Sequence, residues 1–192
     1  MKERKKDSMS NRLAISDHHF RHSNIYRFTN ASGDLVRPWA QSAQEADEMM
    51  IDAWNGVVGK RDTVYHLGDV AIHRSGILLM ERLNGRKILI RGNHDIFKIK
   101  EYLPHFADIR GSDKVGRMIM THYPIHPDCI PHWCLANVHG HTHQNKMTRG
   151  DEGGGRIPDN RYFNMCVEIA GLAPLPIEEI ERRIRNTQEN MQ

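Results

Sequence analysis

Long apolar runs are missing from this chain: nowhere do about 18 consecutive apolar residues occur, so no membrane-spanning helix is expected. The apolar stretch of a secretory leader is also missing after the basic start, and a cytoplasmic protein is the expectation. Cysteine is scarce, three residues in 192 with no CxxC pair, which argues against a disulfide framework and fits a reducing compartment. The glycine-rich run Asp151-Glu152-Gly153-Gly154-Gly155 lacks the Lys-Ser/Thr of a phosphate-cradling P-loop, and reads as a hairpin tip or loop. A strong excess of one charge is lacking too. Of the net +3, residues 1–10 supply two, through Lys2, Arg4, Lys5 and Lys6 against Glu3 and Asp7. The remainder is near neutral and carries no nucleic-acid footprint. The expected organisation is a disordered basic extension over 1–10, with Met9 as an alternative start, and one domain over 11–192 that needs no staples.

Histidine, by contrast, is abundant, with thirteen residues. Several stand in short polar clusters that each follow an apolar run. Asp17-His18-His19 comes near the start, and Gly68-Asp69 follows Val64-Tyr65-His66-Leu67. Arg91-Gly92-Asn93-His94-Asp95 follows Ile88-Leu89-Ile90, His122 follows Met118-Ile119-Met120-Thr121, and Gly140-His141-Thr142-His143 follows Leu135-Ala136-Asn137-Val138. Strands that end in loops deliver their last side chains to one rim of a sheet, so five such strands could converge on a single point. Mixed imidazole and carboxylate ligands suit Zn, Fe or Mn better than Mg or Ca. Asp17 and His19 are two apart, as are His141 and His143, and alternate residues of extended backbone point the same way. That parity pairs His19 with Asp17 and turns His18 away.

The remaining pattern predicts strands at 12–16, 63–67, 87–91, 107–110, 115–121, 135–139 and 162–169, and helices at 42–57, 74–83, 96–102 and 178–190. Met49-Met50, Ala53-Trp54 and Val57-Val58 recur at helical spacing as a core stripe. The mixture of thiols and imidazoles in 126–134 matches no common zinc frame, and its prolines read as a rigid loop between strands. His139 is expected to be structural, and His66, His73 and His105 have no support as site residues. Arg21 and His22 are close enough to the first cluster to reach a substrate phosphate.

The ordered set DxH, GD, GNHD, H and GHxH over residues 17–143 resembles the calcineurin-like metallophosphoesterase superfamily, in particular its small bacterial and phage-type members. The resemblance extends to Tyr162-Phe163-Asn164-Met165-Cys166-Val167-Glu168. It implies an α/β fold, a four-layer α/β/β/α sandwich of two mixed β-sheets flanked by helices, and the short connections between motifs argue against an inserted cap domain. It also implies that Asp17, His19 and His143 hold one divalent ion, that Asn93, His122 and His141 hold a second, and that Asp69 bridges both. Mn2+ is the first expectation, with Fe2+, Zn2+, Ni2+ or Mg2+ as alternatives. His94 would serve as general acid, with Asp95 orienting its ring. The expected activity is hydrolysis of a phosphoester substrate, a phosphodiester first, by a hydroxide generated between the ions. Phosphomonoesterase, nuclease and a non-catalytic binding scaffold are the alternatives. The absence of GDxxDRG and GNHE disfavours a protein phosphatase.

Overall fold

The computed structural model describes residues 10–30 and 32–190, so nearly all of the basic extension expected over 1–10 lies outside the described residues. Four parallel strands, β1 (Arg12–Ile15), β2 (Thr63–His66), β3 (Arg86–Ile90) and β4 (Asp108–Arg110), stand side by side in chain order. Register pairs Ile15 with His66 and His66 with Leu89. The loops after β1, β2 and β3 therefore leave from one rim. A second mixed sheet is built from β5 (Ser112–Val115), β6 (Met118–Thr121), β7 (Ala136–His139) and β10 (Tyr162–Asn164). Here β6, β7 and β10 run parallel and β5 is antiparallel. Between them in the chain, β8 (Thr148–Gly150) and β9 (Arg156–Pro158) form a hairpin whose tip is the glycine-rich run. A short β11 (Leu175–Pro176) closes the edge of the first sheet, antiparallel to β1.

Side-chain alternation divides the core in two. Leu13, Ile15, Val64 and Leu89 face a cluster with Ala46, Met50, Ile51 and Trp54 of helix α1 (Ala43–Val57). Ala14, Tyr65, Leu67, Ile88 and Ile90 face the other way, into a cluster with Met118, Met120, Ala136 and Val138 of the second sheet. Helix α1 starts where Ser42 Oγ accepts the Glu45 amide at 3.2 Å, and Trp54 Nε1 donates to the Asn84 carbonyl at 3.0 Å. The periodic Met and Trp stripe is thus core. Helices α2 (Arg74–Ile77) and α3 (Ile99–Tyr102) bury Ile77 and Tyr102 in the same cluster.

Several expected elements differ. The helix expected at 74–83 is α2 followed by a 3-10 stretch, Leu78–Arg82. The single strand expected at 115–121 is the β5–β6 hairpin, because Gly116, with φ +57°, turns the chain. The strand expected at 162–169 ends at Asn164, and α4 (Val167–Ala170) follows. The C-terminal helix is α5 (Ile177–Glu189), whose Ile177, Ile180 and Ile184 enter the core between the sheets. Among the described residues no helix forms a fourth layer on the outer face of the second sheet, where Thr121, Asn137 and His139 point. Asn137 is satisfied there by the Ile119 carbonyl, Thr121 Oγ and the Ile125 amide, a polar lining rather than an apolar bed for a helix. What stands is an α/β sandwich of two mixed sheets. Among the described residues no helix is long and apolar enough to cross a membrane.

His18 points away from the later site, into the first core. Its Nδ1 lies 2.8 Å from His66 Nε2, and His66 Nδ1 accepts the Gly68 amide at 3.2 Å. The His66 proton therefore sits on Nε2 and is donated to His18. Protonating either ring would set two N–H groups head to head. Burial pushes His66 down to about 3 and, with the charge of His66, pushes His18 well below the ordinary value. An unfolded chain takes up these protons near pH 6.5 and the folded one does not, so stability falls as pH drops from about 6.5 toward 3, by about 1.4 kcal/mol per pH unit per histidine. Denaturant unfolding at pH 7.5 and 5.5 checks this: His66→Asn should lose less stability between the two than wild type. Equal losses would contradict it.

Candidate metal centre

The backbone ladders run on past the strand ends and carry the polar clusters together. The Asp17 amide donates to the Gly68 carbonyl and the His19 amide to the Asp69 carbonyl, each at 3.0 Å, while the Gly140 amide donates to the His122 carbonyl at 3.0 Å. Ser16 pairs with Met165 and Val167, which joins the two sheets at this rim. Asp17, His19, Asp69, His141 and His143 all have φ between +47° and +69°. The spacing expected to pair Asp17 with His19 and His141 with His143 in extended backbone therefore works through left-handed corners instead. Such corners cost about 1–3 kcal/mol each in non-glycine residues and persist only where the surroundings hold them.

Two groups of ligand atoms result. Asp17, His19 and His143 form one, and Asp69, His122 and His141 the other, each with its ligand atoms within 4.8 Å of one another. Asn93 joins the second, its Oδ1 2.8 Å from His122 Nε2 and 3.0 Å from His141 Nδ1. Asp69 lies between: Oδ2 is 3.5 Å from His19 Nε2, and Oδ1 is 3.5 Å from His122 Nε2. All seven residues expected to hold metal are thus at one place.

The donor chemistry fits cations. His122 Nδ1 faces the Leu67 carbonyl at 2.8 Å, an acceptor, so its proton is there and Nε2 presents a lone pair. That lone pair points at another, on Asn93 Oδ1. Asp17 Oδ1 and both ring nitrogens of His19 are buried with no hydrogen-bond partner among the described residues. Orphaned buried acceptors are costly unless something positive serves them. His143 Nδ1 lies 3.1 Å from Glu168 Oε1, a carboxylate that turns the other ring nitrogen toward the group.

The electrostatics agree. Burial would raise Asp17, but the neighbouring imidazoles of His19, His122 and His143 hold it well below the usual carboxylate range. Burial, against the pull of Asp17, drives His19 down to about 4 and keeps it a neutral ligand. Burial and the nearby Asp17 charge, against the pull of His122, raise Asp69 to about 6. Burial opposes charge on His143, yet Glu168 outweighs it and the imidazole is raised.

Two motif glycines are required by close approach. A Cβ on Gly92 would fall on the Asp69 carboxylate, and one on Gly140 would fall on Ser16 Oγ and the Asp17 carboxylate.

Two expectations are corrected. Asp95 does not orient the His94 ring. Its Oδ2 accepts the Asp69 and Gly92 amides at 2.9 and 2.8 Å, and Oδ1 accepts the Val70 amide at 3.0 Å, so it clasps two loops. His94 itself is exposed, 5.2 Å from His19 between ring centroids, with its amide on Asp69 Oδ1 at 2.8 Å. Arg21 turns to Asp47, with Nε 3.4 Å from Oδ2, while His22 stays within 5.9 Å of His19 between centroids. The 126–134 segment is a loop between β6 and β7, and no metal-ligating group forms there among the described residues. His139 is buried, with Nδ1 on the Gly140 carbonyl at 2.8 Å.

Sequence reasoning missed Arg37. Wholly buried, it bonds Glu168 Oε1 at 2.8 Å, the His18 carbonyl at 2.7 Å and the Asp17 carbonyl at 2.6 Å. Glu168 stood in a recognisable segment but without a role, and Arg37 stands in no motif. Cys166 Sγ, 3.2 Å from Asp17 Oδ2, completes the surround.

No protein-family model matches the chain. It is 32% identical to the uncharacterized protein MJ1445 of Methanocaldococcus jannaschii over 186 residues, covering 92% of this chain and 93% of that protein. It is 30% identical to the gene 66 protein of Mycobacterium phage L5, covering 70% of this chain and 78% of that one. The crystal structure of a protein of unknown function, AQ665 from Aquifex aeolicus, superposes with a TM-score of 0.63 at 27% identity, covering 91% of this chain and 99% of that one.

Asp69 spans both groups, so Asp69→Asn should weaken binding of two ions together, each by more than about tenfold in calorimetric titration with Mn2+. Loss of one ion with the other unchanged would contradict the bridging placement.

Proposed function

The chain belongs to the same family as the Methanocaldococcus jannaschii and phage L5 proteins, and we propose that it is a metal-dependent phosphohydrolase of the calcineurin-like metallophosphoesterase type, acting first on phosphodiesters. The observation that carries this reading is the single carboxylate of Asp69, directed to two groups of Asp and His ligand atoms, most of them buried. Asp17, His19 and His143 would hold one divalent ion, Asn93, His122 and His141 the other, and Asp69 would touch both. Two such ions would supply a water deprotonated near neutral pH and neutralise charge at phosphorus. Manganese fits the imidazole and carboxylate set, as do iron and zinc.

The chain's own residues do the rest. Glu168 and Arg37 hold His143 and the Asp17 corner in place. His94 is exposed on the open side, its amide anchored to Asp69 Oδ1. From there its ring would hand a proton to the departing alkoxide as the phosphorus–oxygen bond breaks, so no covalent enzyme intermediate is needed. Exposure of Asn93 and His94 leaves room for a substrate with two ester arms.

The test is hydrolysis of an aryl phosphodiester and its monoester by metal-depleted protein resupplied singly with Mn2+, Fe2+, Zn2+ or Mg2+. Metal-dependent turnover favouring the diester is expected. His94→Ala should keep both ions and lose roughly 10²–10⁴-fold in turnover, most for poor leaving groups. Two ions bound per chain with no turnover of either ester would overturn the reading, and loss of metal in His94→Ala would overturn the role of that residue.

A further inference from the structure

A cavity of about 420 Å³ opens beside the second ligand group and shares His122 with it as a wall. Its volume lies within the range of small-molecule sites, roughly 300–1,000 Å³, and exceeds what a simple aryl group fills. Arg91 lines it from the end of β3, Gly111 and Ser112 from the connection to β5, and Thr121 and Tyr123 from the end of β6. No acidic side chain lines it. Arg91 donates from Nε to the Asp95 carbonyl at 2.8 Å and from Nη2 to the Phe97 carbonyl at 3.1 Å. Both acceptors are neutral, and among the described residues no carboxylate pairs with this guanidinium. The bonds fix its orientation and leave its charge uncancelled. Tyr123, 49% exposed, packs edge-on against His141, centroids 4.5 Å apart, and leaves ring surface open.

A fixed cation, an open aromatic surface and the Ser112 hydroxyl beside a candidate phosphoester site make a specific combination. Arginine matches phosphate oxygens, and an exposed aromatic ring accepts a planar base. Resting on the phosphohydrolase reading, we propose that this cavity binds one arm of the ester, and that the arm is a nucleoside carrying a second phosphate. The phosphate meets Arg91, the base lies on Tyr123, and the scissile phosphorus stays next to His122.

Gly111 lines the cavity, its φ is unstrained for other residues, and a Cβ there meets open space, so Gly111→Phe adds bulk at the cavity wall without a backbone clash. Three substrates with one leaving group are compared: the p-nitrophenyl ester of thymidine 5′-phosphate with a 3′-phosphate, the same ester without it, and methyl p-nitrophenyl phosphate. In wild type kcat/KM should fall in that order, by about tenfold for loss of the 3′-phosphate. Gly111→Phe should reduce the ratio of the first to the third by about tenfold or more, and Arg91→Gln should remove the preference for the 3′-phosphate. Turnover of the methyl ester with no preference among the three would overturn the cavity's role and leave the phosphohydrolase reading standing. Should no ester be turned over, that reading fails, and equilibrium dialysis of thymidine 3′,5′-bisphosphate still decides: binding weakened by Gly111→Phe supports the cavity, and no binding overturns it. In the same dialysis, oligothymidylate competing better than the bisphosphate assigns the arm to a nucleic-acid chain. Competing worse assigns it to a free nucleotide, and binding identical in wild type and Gly111→Phe refutes the assignment.

Discussion

The carboxylate of Asp95 is the joint on which the site depends. Fully buried, it accepts three backbone amides, from Asp69, Val70 and Gly92, and so fixes the loop after β2 against the loop after β3. Burial raises this carboxyl while the three amide donors work to keep it ionised. Asp69 and Asn93 stand on either side of that joint, and the His94 amide returns a hydrogen bond to Asp69. The first sheet sets the strands in parallel register, but Asp95 converts two loops at one rim into a rigid seat for side chains.

A second fixed point works from the opposite side. Arg37 is wholly buried, and its guanidinium joins two carbonyls of the first loop to Glu168, which in turn orients His143. Breaking such a buried pair leaves an uncompensated charge, so its members are tied to one another. Left-handed backbone at Asp17, His19, Asp69, His141 and His143 is tolerated because both fixed points and the inter-loop amides over-determine it. Ligand placement here is a property of folded loops rather than of strands, and the strain is the counterpart of aiming many lone pairs at a small volume.

Much of this was legible in the chain. Apolar runs ending in Asp, Asn or His gave the parallel strands and the rim, because burial on both faces and a loop exit leave that signature. The grouping of all seven candidate ligands came from the resemblance that the motif order carries. The reason first given for pairing Asp17 with His19 was nevertheless incorrect: alternation belongs to extended backbone, and these residues occupy left-handed corners that a spacing of two also allows. Asp95 looked like a partner of its neighbour His94, since sequence adjacency conceals that backbone amides of another loop reach it first. Arg37 left no trace because its role depends on contacts 131 residues apart, with Glu168. The hairpin at 112–121 was hidden because Ser112, Asp113 and Lys114 of β5 are not strand-like residues, and Gly116 alone marks the turn. A fourth layer was expected from resemblance, whereas α5 spends its isoleucines on the core between the sheets.

We propose that side chains from five loops build one centre for two cations, with Asp69 shared between them. Crystals of the protein reconstituted with Mn2+, measured on both sides of the manganese absorption edge, test it directly. Two anomalous peaks are predicted, one among Asp17, His19 and His143 and one among Asn93, His122 and His141, with an Asp69 oxygen on each. A single peak, or peaks elsewhere on the molecule, would contradict the account.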